Sequence, residues 1–234
     1  REARELFFNC ARRHPLSFYY LLFVLKELSI HSAILGHYDA SAVAVYVAER
    51  NVATPLLRKL YEESGREFDS FMHGEYLLQL VQAYSSFTNY YVWDDSYVSM
   101  FEDLKFHCDS LEVYTPKKLQ KKWNLEAIQP DHYCTYYFSG ESERSIENIA
   151  SLFQVLERRG YVCKVRPHPR YSHTQLIHQL FDSSRIEDPT KVSIRDSLSS
   201  TQIVVGLTTT VLFEAKTEGK LVVIDDLSDS DRYC

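Results

Sequence analysis

The sequence predicts an α/β protein with two doubly wound parallel sheets. Short runs of β-branched and aromatic residues alternate with amphipathic helical patterns along the chain, which is typical of strand–helix–strand units. Two predicted helices end in a glycine directly before an apolar run, at Gly160 and Gly219, as helices commonly do before a strand. A lysine-rich segment at 117–132 separates two such series. We therefore predict two Rossmann-like domains, residues 1–128 and 129–234.

Composition places the chain among globular proteins. It has 234 residues, of which 45% are apolar and 25% are charged. The formal net charge of −6 argues against a nucleic-acid partner, which would require a strongly basic domain. Five widely spaced cysteines without a Cys-x-x-Cys pair indicate neither a zinc site nor a disulfide framework, which is typical of the reducing cytosol.

An apolar stretch at 16–25 lies near the start of the first predicted domain. It is about half as long as a membrane span, so we expect a core helix. The following predicted strands are 32–38, 68–73, 89–94 and 110–116, and the predicted helices are 39–51, 75–87 and 96–107. The chain starts without Met, so we expect it to be part of a longer protein, with the first domain incomplete.

The second domain has the more regular alternation. Its predicted strands are 133–139, 161–167, a short 185–188, 201–207 and 220–225, and its predicted helices are 141–159, 173–181, 193–199 and 210–218. Ligands of such sheets bind outside the carboxyl ends of the strands. The loops there are 139–142, 166–172, 187–193 and 206–210, and they offer hydroxyls and glycines ahead of helix starts that receive phosphate readily.

The loop at 206–210 combines a glycine with three consecutive threonines. Gly206 permits close backbone approach, and Thr208, Thr209 or Thr210 can cap the next helix and contact an anion. Glu214, one turn further on, has a carboxylate that can accept a hydrogen bond from a ribose hydroxyl. The alternative is that a threonine only caps its helix.

The loop at 166–172 places a histidine between two prolines. Pro167 and Pro169 restrict the backbone on both sides of His168, so little entropy remains for it to lose on binding. Arg166 and Arg170 carry forked donors suited to phosphate oxygens. A structural turn is the alternative, and the pairing with a hydroxyl-rich helix start favours a phosphate site.

The segments RPHPR, GLTTTVLFEA and YYFSGES, within about residues 131–226, resemble the nucleotide-binding half of GT-B glycosyltransferases that use CMP-activated sugars. Those enzymes include bacterial sialyltransferases and Kdo transferases of lipooligosaccharide and capsule synthesis. The resemblance implies two domains facing each other across a cleft. It also implies inverting transfer without a metal or a cofactor other than the nucleotide-linked donor. His168 would stabilise the leaving phosphate together with Thr209 or Thr210, and Ser139 and Gly140 would lie at the donor site.

The sequence departs from that pattern in two ways. Threonine stands where the family has serine, and the acidic signature that often supplies the general base is not clearly present. CDP-glycerol glycerophosphotransferases also carry a His-Pro motif, although their later motif does not match. A sugar-nucleotide epimerase and a non-catalytic nucleotide- or glycan-binding module remain further alternatives.

The general base has three candidates. Glu75 follows Gly74 at a predicted strand end and is the first, with Asp39 and Glu141 behind it. His73 could orient a carboxylate or bind the donor phosphate. Each carboxylate could instead cap a helix. The expected partners are a nucleotide sugar and a glycan or glycolipid acceptor at a cytoplasmic location, near the inner face of the membrane. Peripheral membrane association and homo-oligomerisation are left open.

Overall fold

A computed structural model describes residues 2–15, 17–46, 51–74, 80–120, 122–125 and 133–225. Over these residues the chain is a mixed α/β protein with two four-stranded sheets, and every strand pair is parallel. The chain separates into two compact units, Arg1–His73 with Leu77–Pro116, and Gly74–Tyr76 with Lys117–Cys234. The predicted boundary at residue 128 lies outside the described residues and stays a prediction.

The first unit contains the first eight helices and strands. They are α1 (Glu2–Arg13), α2 (Phe18–His37), β1 (Ala42–Tyr46), α3 (Thr54–Glu63), β2 (Glu67–Phe71), β3 (Ser86–Val92), α4 (Asp95–Asp103) and β4 (His107–Val113), with a 3-10 turn at Leu80–Tyr84. Asp94 caps α4 by accepting a hydrogen bond from the backbone N–H of Ser96 at 2.9 Å.

The predictions for residues 32–46 were wrong. The expected strand at 32–38 is the last part of α2, and β1 lies where a helix was expected to start. Residues 32–38 contain only two large apolar residues before Tyr38, and so short a run does not distinguish a strand from a helix end. Residues 47–50 and most of the predicted helix 75–87 are not described, and residues 80–84 form a 3-10 turn.

Residues 18–25 of the predicted apolar stretch do lie in a helix, but that helix is not a core helix. α2 has 20 residues, is long and apolar enough to cross a membrane by length and composition, and has 17% of its most apolar window buried. Val24, Leu28 and His31 face inward, whereas Phe18 is 65% and Tyr19 is 87% exposed.

The first sheet has the strand order β1-β2-β3-β4, without a reversal among the described strands. Right-handed crossovers that always proceed in one direction place their helices on one face. The rings confirm this: Phe68 contacts His31 of α2 and Tyr61 of α3, and Tyr90 on the same face contacts Phe101 of α4. The expectation of a doubly wound sheet is therefore not met by the described part of this unit.

The second unit follows the sequence prediction closely. It consists of α5 (Lys117–Gln120), β5 (Tyr133–Tyr137), α6 (Glu143–Arg158), β6 (Val162–Arg166), α7 (Thr174–Leu180), α8 (Ile194–Ser199), β7 (Ile203–Gly206), α9 (Thr210–Thr217) and β8 (Leu221–Ile224), with a 3-10 turn at Ser183–Arg185. Gly160 and Gly219 have positive φ after α6 and α9, which confirms their predicted role. The predicted short strand near 185 is a single bridge between Ile186 and Val165.

The second sheet has the order β6-β5-β7-β8. The chain proceeds from β5 to β6 on one side and then returns to the other side for β7, so the order reverses between β5 and β7. Two apolar clusters pack on the sheet, one with α6 and α7 and the other with α8 and α9. This unit is doubly wound, and ligands of such sheets bind where the order reverses.

The segment at 122–125 is attached to α9. The Glu218 carboxylate, directly after that helix, accepts hydrogen bonds from the backbone N–H groups of Trp123 and Leu125. Both side chains also pack against the apolar cluster that contains Leu212 and Ala215.

Candidate functional site

The loop after β5 is built around Glu141. This side chain is 1% exposed, and its carboxylate accepts hydrogen bonds from the backbone N–H groups of Ser139 at 2.7 Å and Gly140 at 3.0 Å. The Ser139 hydroxyl donates to the same carboxylate at 2.9 Å. Gly140 has φ +122°, which an L side chain rarely adopts.

These contacts correct the prediction that Glu141 is a base. Glu141 folds back on its own loop, so its oxygens are occupied by local donors and it is not placed to accept a proton from a substrate. The backbone N–H groups of Ser139 and Gly140 are used by Glu141, and the place of these two residues at the donor site stays a prediction. These hydrogen bonds hold the loop after β5 in one conformation at the carboxyl edge of the sheet.

The loop after β6 fixes the orientation of His168. The backbone N–H of Arg170 donates to His168 Nδ1 at 3.1 Å, and the backbone N–H of His168 donates to the Ser172 hydroxyl at 2.7 Å. The imidazole stacks on the Tyr171 ring with 4.6 Å between centroids. Because Nδ1 accepts a hydrogen bond, the proton of the neutral ring lies on Nε2.

The charge state of His168 follows from its surroundings. Burial and the Arg170 guanidinium lower the pKa of His168, and the Glu141 carboxylate opposes that shift. The ring is therefore neutral near pH 7 and offers one N–H donor at Nε2.

The two arginines of this loop have different environments. Arg166 forms an ion pair with Glu187, with side-chain exposures of 6% and 7%, and it donates to the backbone carbonyl of Val192 at 2.7 Å. Its predicted contact with phosphate is therefore corrected, because the guanidinium is buried in this pair. Arg170 is exposed, and no ion pair engages it within the described ranges.

The loop after β7 leads into α9. Thr209 is the N-cap residue, and its hydroxyl accepts a hydrogen bond from the backbone N–H of Val211 at 3.4 Å. The hydroxyl can still donate to another acceptor. Thr210 is the first residue of the helix, and the Thr208 hydroxyl lies 3.4 Å from that of Ser139.

Gly206 lies in a closely packed turn, and Glu214 is partly buried in the helix that follows. A Cβ atom at Gly206 would lie 3.0 Å from the Tyr137 carbonyl oxygen and 3.1 Å from the Thr209 methyl. Its lack of a side chain therefore allows β7, β5 and α9 to pack closely, and the approach of a ligand to its backbone stays a prediction. Glu214 is partly buried; desolvation raises its pKa, and Lys118 opposes that shift.

Three loops meet at the carboxyl edge of this sheet. Tyr137, the last residue of β5, pairs with Arg166 on one side and with Gly206 on the other. Beyond the strands, the Ser139 hydroxyl approaches Thr208, and Tyr171 lies against Gly140. The ends of β6 and β7 are thus separated by two strand spacings, about 10 Å.

Asp39 and His73 of the first unit lie at opposite edges of its sheet and are not brought together. Asp39 precedes β1 and lies at the amino edge of its sheet, so it is not at the edge where we expected a base. His73 follows β2 at the carboxyl edge, as predicted. Glu75 lies outside the described residues.

Sequence reasoning missed Asp225, the residue after β8. Its backbone N–H donates to the Gly206 carbonyl at 2.9 Å, and its carboxylate accepts from the Tyr136 hydroxyl at 3.0 Å. The sequence signal that could have identified Asp225 is an acidic residue directly after an apolar strand. Among the residues that the structure describes, no three His, Cys, Asp or Glu side chains cluster as metal ligands do.

Comparisons with known proteins add little. No protein-family model and no curated protein matches the chain significantly. Among solved structures, it is similar to a glycosyltransferase from Rickettsia africae ESF-5, with 16% sequence identity and a TM-score of 0.44. The match covers 84% of this chain and 60% of that one, so the chain spans less than two thirds of its length. This likeness is too weak to assign an activity.

Proposed function

We propose that the second unit binds a nucleotide-activated sugar at the carboxyl edge of its sheet and that the protein transfers this sugar to a glycan acceptor. The observation that carries the proposal is the reversal of strand order between β5 and β7, with the His168 loop and the threonine loop on either side of it. Such a reversal is where doubly wound sheets bind their ligands.

The phosphate of the donor would be bound from two sides. The Nε2–H group of His168 and the exposed guanidinium of Arg170 supply donors from one loop. Thr208, Thr209 and the first N–H groups of α9 supply donors from the other. Donors held in place before the reaction stabilise the charge that develops on the leaving phosphate, and this is usually the largest catalytic term.

The sequence resemblance supports the finer assignment. We propose a CMP-linked sialic acid or Kdo-like sugar as donor, a capsule or lipooligosaccharide glycan as acceptor, and inverting transfer without a metal. Glu75 is the proposed base. In the reaction it would take the proton of the acceptor hydroxyl while the phosphate leaves the sugar.

A nucleotide panel tests this proposal. Thermal unfolding is measured with CMP, CDP, UDP and GDP, and CMP should stabilise the protein most, by about 2.7 kcal/mol at roughly 100 times its dissociation constant. His168→Ala should lose this shift, whereas His178→Ala, on the exposed side of α7, should keep it. A preference for UDP would support an epimerase instead, a preference for CDP would support a glycerophosphotransferase, and no shift with any nucleotide would contradict the proposed site.

A binding module without catalytic activity is the second candidate. It is favoured by the positions of two proposed bases, since Glu141 is enclosed by its own loop and Asp39 lies at an amino edge. Release of CMP from a CMP-sugar in the absence of acceptor separates the two functions. A transferase should show slow release that Glu75→Gln reduces, and a binding module should show none in either protein.

A further inference from the structure

A cavity in the first unit lies between the end of α1, the start of α2 and the first half of α3. Its volume is about 660 Å³. Pockets for small ligands are typically roughly 300–1,000 Å³, so this cavity is large enough for one. It is lined by residues of one unit and is separate from the nucleotide site proposed above.

The cavity is positively charged. Arg12, Arg13 and Lys59 line it together with His14, and no carboxylate is among its lining residues within the described ranges. This is unusual in a chain with a formal net charge of −6. Three cations around one cavity repel each other, and a bound anion would relieve that repulsion.

The arginines are not used elsewhere in the described part of the chain. Lys59 has exposed carboxylates nearby, Glu62 at 3.4 Å and Glu63 at 4.0 Å, but Arg12 and Arg13 form no ion pair among the described residues. Basic residues are favourable in the last turn of a helix, which accounts for their place in α1. It does not account for the fact that they line the same cavity as Lys59 of a different helix.

Apolar side chains form part of the other walls. Leu6 of α1 and Leu56 of α3 contribute to them, besides the polar Asn9. A bare inorganic anion would leave these walls without a partner. The lining therefore suits a ligand that combines a phosphate group with an apolar portion.

We infer that this cavity is a binding site for a phosphomonoester, with Arg12, Arg13 and Lys59 on the phosphate and the leucine-lined walls on the adjoining apolar part. The forked guanidinium groups match phosphate oxygens in geometry as well as in charge. Such a ligand is either a soluble phosphate ester or the headgroup of an anionic lipid. The site does not depend on nucleotide binding in the second unit.

Calorimetric titration tests the inference with three probes: inorganic phosphate, short-chain phosphatidic acid below its micelle concentration, and phosphatidylcholine vesicles with or without phosphatidic acid. We expect the wild-type protein to bind the short-chain phosphatidic acid more tightly than inorganic phosphate. Arg12→Gln and Arg13→Gln should each weaken that binding by at least about tenfold, as expected for the loss of a charge-assisted hydrogen bond. Arg4→Gln, on the same helix but outside the cavity, should bind as the wild type does.

The outcomes separate the sources of the phosphate. Binding to short-chain phosphatidic acid without binding to the vesicles indicates that the ligand is a soluble ester. Additional binding to vesicles that contain phosphatidic acid, abolished by Arg13→Gln, indicates that the ligand is a lipid headgroup. Equal binding by wild type, Arg12→Gln and Arg13→Gln would overturn the inference, as would no binding of any phosphate probe. Thermal unfolding of each variant confirms that a loss of binding is not a loss of fold, and a nucleotide shift measured in parallel reports on the second unit independently.

Discussion

The backbone N–H of Arg170 donates a hydrogen bond to Nδ1 of His168 at 3.1 Å. This contact places the proton of the neutral ring on Nε2, the atom that remains for a ligand. A loop of two prolines and one histidine therefore presents a single donor in a fixed orientation. The contribution of this His168 donor to ligand binding can be tested by substitution.

His168→Ala should lower turnover with a CMP-sugar at least about a hundredfold, because loss of one donor to a developing negative charge costs about 2.7–4 kcal/mol at the barrier. Steady-state kinetics measure this effect. The melting temperature should remain that of the wild type, because the ring is near the surface. Near-normal turnover in the variant would reject the assignment of His168.

Arg166 should matter for stability and not for nucleotide affinity. Arg166→Met leaves the buried Glu187 carboxylate without its partner, and breaking a buried pair in this way costs about 3–5 kcal/mol. Urea unfolding measures the loss. The double variant with Arg166→Met and Glu187→Leu should recover most of it and should bind nucleotide as the wild type does. If the double variant is stable but no longer binds, Arg166 contacts the ligand after all.

Gly206→Ala should destabilise the protein, by about 1–3 kcal/mol, because the new methyl group approaches a carbonyl oxygen and the Thr209 methyl. Gly36→Ala is the matched control: a Cβ there meets nothing within 4 Å, and alanine is the better helix former by about 0.5–1 kcal/mol. The two substitutions should thus change the free energy of unfolding in opposite directions. A neutral Gly206→Ala would show that the turn adjusts easily.

His31 should make stability dependent on pH. Burial lowers the pKa of His31 below the ordinary value of 6.5, and Glu27 opposes the shift. The unfolded chain then takes up a proton at a higher pH than the folded chain does. Stability contributed by the neutral ring is therefore fully present above pH 6.5 and is lost as the pH falls through the lowered pKa.

Urea unfolding between about pH 8 and pH 5 measures this dependence. His31→Gln should flatten the curve in that window. Tyr61→Phe removes the hydroxyl that lies 2.9 Å from His31 Nδ1 and should lower stability by about 1 kcal/mol at every pH. An unchanged pH profile in His31→Gln would show that other groups are responsible.

The order of strands and helices in the second unit could be predicted because glycines and prolines separate its strands from its helices. The start of the chain could not, since residues 32–38 are compatible with a strand and with the end of a helix. The position of the threonine and histidine loops at one edge also followed from the sequence. The roles of Arg166 and Glu141 did not follow from the sequence. The partner of Arg166 is 21 residues away on another loop, and Glu141 turns back on the residues before it.

The attachment of residues 123 and 125 to Glu218 has a mechanical consequence. Two hydrogen bonds to one carboxylate hold this segment at the C-terminal end of the helix that begins at Thr210. A displacement of this segment would act on the C-terminal end of that helix, and a helix that moves as one body would shift the threonines at its opposite end. Occupancy of the phosphate position and the placement of a stretch of chain distant in sequence would then be coupled through the eight residues of the helix.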